Sequence, residues 1–538
     1  MPGEAKRRVP FARLAFRPGL QALKALKALR ATRATRAHKH SRHRRARRVI
    51  HPPAGEQAFF ERNQEYEFMH LSASEKIAAF AVGFDASAIS AEARAAAARA
   101  LYDTIAVAVG GAHEPASARV LDYARGQGTN AARMATVWAT GERLPVEMAA
   151  LVNGTMGHVL DFDDVSSPLR GHPSVAMFPA VVALGEGLGS AGRAVLDACV
   201  VGLEVTVRIA RAIVDDQYAK GWHSTVSIAA FGTTAACARL LGLDQQRTIH
   251  ALGILVSQIA GTRENFGTMG KAFQAGQANA IALRSVLLAD AGLDASPAAL
   301  DGKQGYAVLY ADGQDLHAEL DRLGELPLEI ERSGLDIKKY PLCYATHRAI
   351  QGMLDIRRET PFTLDDVERV DVKTNYRATV PLIHDRPRTG LEAKFSMQYA
   401  MAAAICDGAV NLASFRDEPV LRPEIQAFFD RVHLSQGEPP TFPRWAEVAV
   451  HLRDGRRLAI RVEALRGSAQ LPLTDDELIE KATDCFVYGR KAPGDAGRLG
   501  QACFHLERLP LQAVLDSLRG WGRRASPMES LAAPHAPR

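Results

Sequence analysis

Cysteine is scarce, and the six present (Cys199, Cys237, Cys343, Cys406, Cys485, Cys503) lie far apart with no C-x-x-C pair among them. That spacing argues against a zinc knuckle, an iron–sulfur site or a disulfide scaffold, and it makes a reducing, cytoplasmic setting the expectation. No apolar run reaches about 18 residues without a polar residue or a glycine, so no membrane partner is expected. The first residues lack the apolar core of a secretory signal, and no internal repeat is present. A positive excess is also missing from most of the chain. Residues 1–50 hold 16 Lys and Arg against one acid, Glu4; subtracting that +15 from the whole chain's +6 leaves residues 51–538 at −9. The body is acidic, so nucleic acid is not an expected partner despite a pI near 9.

What is present is enough apolar sequence, 47% of 538 residues, for a large core and more than one domain. The patterning predicts a mainly α protein, with a large all-helical domain and a smaller α+β lid domain. Residues 1–68 read as a disordered basic extension; a nucleic-acid tail, an Arg-rich targeting segment, or a true start at Met69 are the competing readings. Residues 69–334 carry the 3.6-residue period, with Ser90 capping a helix over 92–109 that Gly110-Gly111 stops. Further helices are expected over 146–160, 174–186, 194–213, 227–241 and 245–260, the last capped by Asp244. Gly187-Leu-Gly-Ser-Ala-Gly192 matches G-x-G-x-x-G, but it follows a helix rather than a strand and so fails as a dinucleotide fingerprint. Residues 335–470 change texture: a strand over 367–375, helices over 395–405 and 424–432, and runs over 446–453 and 456–465 flanking Asp454-Gly455, which predicts a two-residue hairpin. Residues 471–520 return to helix, at 475–482 and 509–518, and residues 521–538 form a Pro/Ala tail expected to be disordered.

One stretch concentrates chemistry. From Asn153 to Ser174, two histidines (His158, His172) and three carboxylates (Asp161, Asp163, Asp164) run from a helix into a loop broken by Pro168, Gly171 and Pro173. The three-residue spacing of His158, Asp161 and Asp164 predicts one shared helix face. Three more stretches hold polar groups that a core would not want. Lys220-Gly-Trp-His puts His223 at the mouth of an apolar helix. Gly267-Thr-Met-Gly-Lys puts Lys271 among glycines, where amides and an ammonium can hold an anion. Ile337-Lys-Lys-Tyr-Pro-Leu-Cys-Tyr-Ala-Thr-His carries Lys338, Lys339 and His347. A solvated helix end, a satisfied core histidine and basic loops are the structural alternatives for each.

Asn153-Gly-Thr-x-x-His-x-x-Asp-Phe-Asp-Asp, Gly221-Trp-His, Gly270-Lys-x-x-x-Ala-Gly, Lys338-x-Tyr-Pro and Glu392-Ala-Lys-Phe-Ser-Met-Gln-Tyr399, in that order, resemble the MmgE/PrpD family over about 69–515. The resemblance implies a two-domain homodimer, with a helical domain made from both ends of the chain and a lid closing over an interface site. It implies no metal and no cofactor, and a small di- or tricarboxylate as substrate. It assigns Asp161, His172, His223 and Tyr399 to catalysis, and Lys271, Lys338 and His158 to substrate binding. Acid–base chemistry next to a carboxylate is the implied class, with 2-methylcitrate-type dehydration the first expectation. Decarboxylation of cis-aconitate and epimerisation of iminodisuccinate are the alternatives in the same pocket. Val165, Gln274 and Cys343 depart from residues found in some relatives, threonine at the first position and histidine at the other two. From other classes, an isoprenoid-type enzyme holding Mg²⁺ on Asp161, Asp163 and Asp164 lacks a second acidic motif, and a helical nucleic-acid-binding protein would rest on the basic extension alone.

Overall fold

The computed structural model describes residues 71–128 and 130–519; the expected extension (1–68) and tail (521–538) lie outside these residues. The protein is mainly α. Helix α1 (Ala91–Gly110) starts at Ser90, whose hydroxyl accepts from Ala93 N, and a short ribbon β1 (Met134–Thr136) and β2 (Arg143–Pro145) precedes α2 (Val146–His158). Then come α3 (Phe178–Leu188), α4 (Gly192–Ala219), α5 (Ala229–Leu241), α6 (Gln245–Val256) and α7 (Met269–Asp290). Asp244 caps α6 by accepting from Arg247 N. Helix α3 begins four residues later than its pattern predicts, because Ser174 N and Oγ both turn to Asp164 and hold that turn outside the helix. By length and composition Ser224–Leu241 is apolar enough to cross a membrane; 83% of it is buried within the protein, and a break at Ile228 divides it.

The α+β part is organised around a second apolar core running from Tyr340 to Leu452. Here α8 (His347–Glu359) and α9 (Met397–Asp407) pack against a sheet of β3 (Val367–Thr374), β4 (Val432–Gln436), β5 (Ala446–Leu452) and β6 (Arg457–Val462). Its strand order is β4-β3-β5-β6, with β3 and β4 parallel and the rest antiparallel. Val372, Val448 and Ile460 lie in register across it. The predicted two-residue hairpin is instead a three-residue one. Leu452 N bonds Arg456 O, and of the turn residues only Gly455 is left-handed, at φ +87°. A two-residue I′ turn would need Asp454 left-handed as well, whereas a type I turn closed by one left-handed glycine does not.

The closing helices α10 (Asp475–Tyr488), α11 (Gly494–Phe504) and α12 (Gln512–Arg519) share a core with α1–α4. Tyr102 donates to Ala496 O at 3.0 Å, and Lys481 pairs with buried Asp103 at 2.7 Å.

Helices α2 and α7 cross closely. A Cβ on Gly154 would stand 2.8 Å from Gly276 Cα, and one on Gly276 would stand 2.3 Å from Leu151 O. Because backbone rather than a flexible side chain occupies that space, only glycine permits the approach. The crossing matters beyond packing: it sets the end of α2, with His158, against the start of α7, with Lys271. Gly276→Ala is therefore expected to lower stability by about 1–3 kcal/mol, read as a fall in melting temperature. An unchanged melting temperature would show that the helices can part freely.

Candidate active site

At the end of α2 the chain leaves the helix just where the ionisable groups begin. Asp161 is left-handed, at φ +50°, so the expected single helix face does not form; the carboxylates lie on the turn beyond it. That turn frees carbonyls that a helix would have satisfied, and three lysines from distant segments take them. Lys394 Nζ donates to Leu160 O at 2.7 Å, Lys338 Nζ to Asp161 O at 2.8 Å, and Lys481 Nζ to Phe162 O at 2.8 Å. Three consecutive carbonyls, each held by a buried lysine, keep the acidic turn in place.

Asp161 sits at the centre. Lys338 Nζ stands 2.5 Å from its Oδ1 and Lys271 Nζ 3.0 Å from its Oδ2. Burial would raise this carboxyl, but the ammonium groups of Lys271 and Lys338 hold it well below the usual range. The anion that Lys271 meets is thus the protein's own. Phe395 and Phe266 box that ammonium, with centroids at 4.8 and 5.3 Å. Burial pushes Lys394 down to about 7 against the pull of Asp161 and Glu114.

Asp163 gathers the histidines. His158 Nδ1 lies 2.8 Å from its Oδ2, and His172 Nδ1 lies 3.1 Å from the same oxygen but off the hydrogen-bond direction. The His158 and His172 rings meet edge-on at 4.5 Å. Burial would raise Asp163, but His158 and His172 bring it well below the usual range. Burial drives His172 down to about 4 in spite of Asp163, so the ring is neutral near pH 7.

His223 arrives from the other side, at the head of Ser224–Ser227. Its Nδ1 is 2.6 Å from Gln274 Oε1, while Gln274 Nε2 donates to Thr262 O at 3.1 Å. The amide orientation leaves Gln274 only an oxygen to offer, so Nδ1 carries the proton and Nε2 keeps a lone pair. Burial, then the neighbouring His158 and Lys271, hold His223 well below the ordinary imidazole value. It is a neutral base whose tautomer is set.

Asp161, His172, His223 and Lys271 line a cavity of about 350 Å³ whose walls come from both the helical and the α+β parts. Of the other expected site residues, His158 and Lys338 stand behind this lining and support it. Tyr399 is not brought to the cluster. It is fully buried in the α+β core, its hydroxyl donates to Ser414 O, and its ring packs on Phe415; on α9 it follows the apolar face inward. His347 is likewise tied to Leu342 O at 3.1 Å. Asp163, Lys394 and Gln274 join the site although the sequence assigned them no role in it. Asp163 belongs to the acidic stretch and Lys394 to the Glu392–Tyr399 motif, and Gln274 stood out only as a departure from relatives with histidine; nothing local marks it as the partner of His223.

His158, Asp161, Asp163 and His172 offer four ligand atoms within 4.8 Å of one another, the one such group among the described residues. The donor set does not suit a divalent cation. Both Asp161 oxygens already face ammonium groups at 3.0 Å or less, and these would repel an ion seated there.

Asp164 turns away to Ser174. Burial raises its carboxyl to about 8, with Asp103 and Asp163 adding to the rise against the Ser174 hydrogen bond. A carboxyl raised above its unfolded value binds a proton that the unfolded chain releases above about pH 4, so its contribution to stability is lost as pH rises through 8. Asp164→Asn, which mimics the protonated form, should flatten the decline in melting temperature between pH 6 and pH 9. A parallel decline in both proteins would place the loss elsewhere.

A family model described as MmgE/PrpD N-terminal domain matches residues 75–319, and one described as MmgE/PrpD C-terminal domain matches residues 340–493. Cis-aconitate decarboxylase of Mus musculus is 28% identical over 399 residues, covering 71% of this chain and 80% of the relative. Its Homo sapiens counterpart is 28% identical over 364 residues, 64% of this chain and 74% of the relative. Cis-aconitate decarboxylase of Aspergillus terreus is 26% identical over 368 residues, at 63% and 74%.

Proposed function

Because this chain belongs to the MmgE/PrpD family, we propose that it is a lyase acting next to a carboxylate of a small di- or tricarboxylate, by decarboxylation of the cis-aconitate type. The relatives that match over most of their length bear that activity in their names, which favours it over the dehydration expected first. The observation that carries the reading is the cavity end itself. There, an Asp161–Lys271–Lys338 network stands beside imidazoles held by Asp163 and Gln274. Loss of carbon dioxide breaks a carbon–carbon bond and leaves its electron pair on the substrate. That pair shifts into the adjoining double bond, and a proton must be delivered to the carbon at its far end. His172 and His223 line the cavity and are the groups proposed to move that proton, each taking one up with the substrate's charge and giving it to carbon. Fixed ammonium charge close by favours the developing anion in a site shielded from water. Closure of the α+β part as a lid, and a homodimer, belong to the same proposal.

One observation favours water elimination as the second reading. Gln274 sets His223 with its lone pair free, and a base is what removal of a proton next to a carboxylate requires, whereas decarboxylation requires none. Turnover of cis-aconitate and of 2-methylcitrate by the full chain, following carbon dioxide and unsaturated product separately, decides between them. Carbon dioxide from cis-aconitate supports decarboxylation, and unsaturated product from 2-methylcitrate alone replaces it with dehydration. Inactivity on both would remove the proposed substrates.

A further inference from the structure

The inner cluster carries little net charge. With the imidazoles neutral, Lys271 and Lys338 are matched by Asp161 and Asp163, all four within one contact network, and Lys394, lowered to about 7 by burial, adds only part of a charge near pH 7. A polyanionic substrate finds little excess positive charge there. The excess lies elsewhere on the same cavity wall, where Arg170, Arg263, Arg348, Arg377 and Arg444 arrive from five separate segments.

Arg170 pairs with exposed Asp215. Among the described residues the other four have no carboxylate within ion-pair distance. They are held instead by rings and carbonyls. Arg263 donates to Tyr218 O and lies 4.2 Å over that residue's ring. Arg348 and Arg444 both approach Tyr344, at 5.8 and 5.2 Å, and Arg348 Nε donates to Glu463 O. Asn375 joins the segments bearing Arg377 and Arg444, donating to Thr441 O and accepting from Trp445 N. Arg377 and Arg444 both act to depress Arg170, which burial already lowers, so these like charges crowd one another.

Backbone conformation points the same way. Of the five non-glycine residues with positive φ among those described, three line this cavity: Asp161 at +50°, Arg170 at +51° and Arg377 at +62°. Left-handed arginine is disfavoured, and strain of this kind gathers where a site holds side chains in set positions.

We propose that Arg170, Arg263, Arg348, Arg377 and Arg444 form an anion-binding wall that selects substrates by a carboxylate carried away from the reacting carbon. The inner cluster performs the chemistry, and the wall binds. This deepens the lyase reading and rests on it for the identity of the reacting carbon. Guanidinium forks suit the planar, two-oxygen geometry of a carboxylate, and uncompensated cations inside a cavity raise the local concentration of a polyanion in a salt-dependent way. The class selected is the di- or tricarboxylate; a monocarboxylate, engaging the inner end only, is refused.

The test uses the full chain and tricarballylate, a saturated tricarboxylate with no double bond and no hydroxyl to lose, with acetate as the monocarboxylate control. Binding is measured by calorimetry at several salt concentrations for the unaltered protein, for the double variant Arg377→Gln/Arg444→Gln, and for Arg444→Lys. Each protein's melting temperature shows that it is folded. The double variant should bind tricarballylate about 10- to 100-fold more weakly, as loss of charge-assisted hydrogen bonds implies, and with a shallower salt dependence. Arg444→Lys should fall between, keeping the charge without the fork. Tricarballylate binding no tighter than acetate, or equal affinity in all three folded proteins, overturns the wall. Wall-dependent binding in a protein that turns over neither cis-aconitate nor 2-methylcitrate keeps the wall and removes the reaction. Turnover with KM unchanged in the double variant removes the wall and keeps the reaction.

Discussion

Replacing His223 by glutamine is expected to lower kcat by about 10²–10⁴-fold, the usual worth of a positioned acid–base group, with little change in melting temperature. The amide is close in size, and its own NH₂ can replace the Nδ1 donor to Gln274 Oε1. Because His223 lies below the ordinary imidazole value of 6.5, it is neutral at pH 7, and the acid limb of kcat/KM should fall below pH 6.5. Gln274→Glu supplies the sharper test. A carboxylate in place of an amide oxygen 2.6 Å from Nδ1 favours the imidazolium, so the limb should move to higher pH. A limb that stays in place while activity persists would show His223 to be a core histidine. The linkage is also signed for stability: an imidazole buried as the neutral form takes up its proton only on unfolding, so stability drops as pH falls below 6.5.

The second large effect is at Asp161. Asp161→Asn leaves two ammonium groups, Lys271 and Lys338, buried without their counter-charge. Breaking a buried pair by removing one partner costs about 3–5 kcal/mol. Activity should drop by at least about 10²-fold, because Lys271 loses the group that positions it. Lys338→Met by itself leaves Asp161 with Lys271 but frees the carbonyl that Lys338 holds. The double variant Asp161→Asn/Lys338→Met should be less damaged than the sum of the two, with a coupling of about 0.5–3 kcal/mol, measured by denaturant unfolding. Strict additivity would mean that the two residues do not act as one network.

Much of the helical architecture was legible because its causes are local. Ser90 and Asp244 cap helices as their side-chain chemistry requires, and the change from helical to alternating period near residue 335 reflects which faces are buried. The acidic stretch was legible as a site, since so many ionisable groups within 22 residues have no place in an ordinary core. Its geometry was not. Spacing by threes describes a helix only while the helix continues, and this one ends at His158. Asp161, in the left-handed region, therefore faces Lys271 and Lys338, and Asp164 faces Ser174 instead. Tyr399 belonged to a motif that matched, yet its position on α9 directs it into the core.

By itself the sequence determined which groups could carry proton transfer, the family to which the chain belongs, and many of the helical segments, though not Met269–Asp290, His347–Glu359 or Gly494–Phe504. These depend on neighbours within a turn or two, or on motifs read in order. The tertiary structure alone decided the partners. Lys394, Lys338 and Lys481 close the carbonyls of residues 160–162, Gln274 selects the tautomer of His223, and five arginines from five segments face one cavity. The physical reason is the same for each. A carbonyl, an imidazole or a guanidinium removed from water must be matched by whatever the fold brings within about 3 Å, and the residue that arrives can stand more than 300 positions away along the chain, as Lys481 does from Phe162.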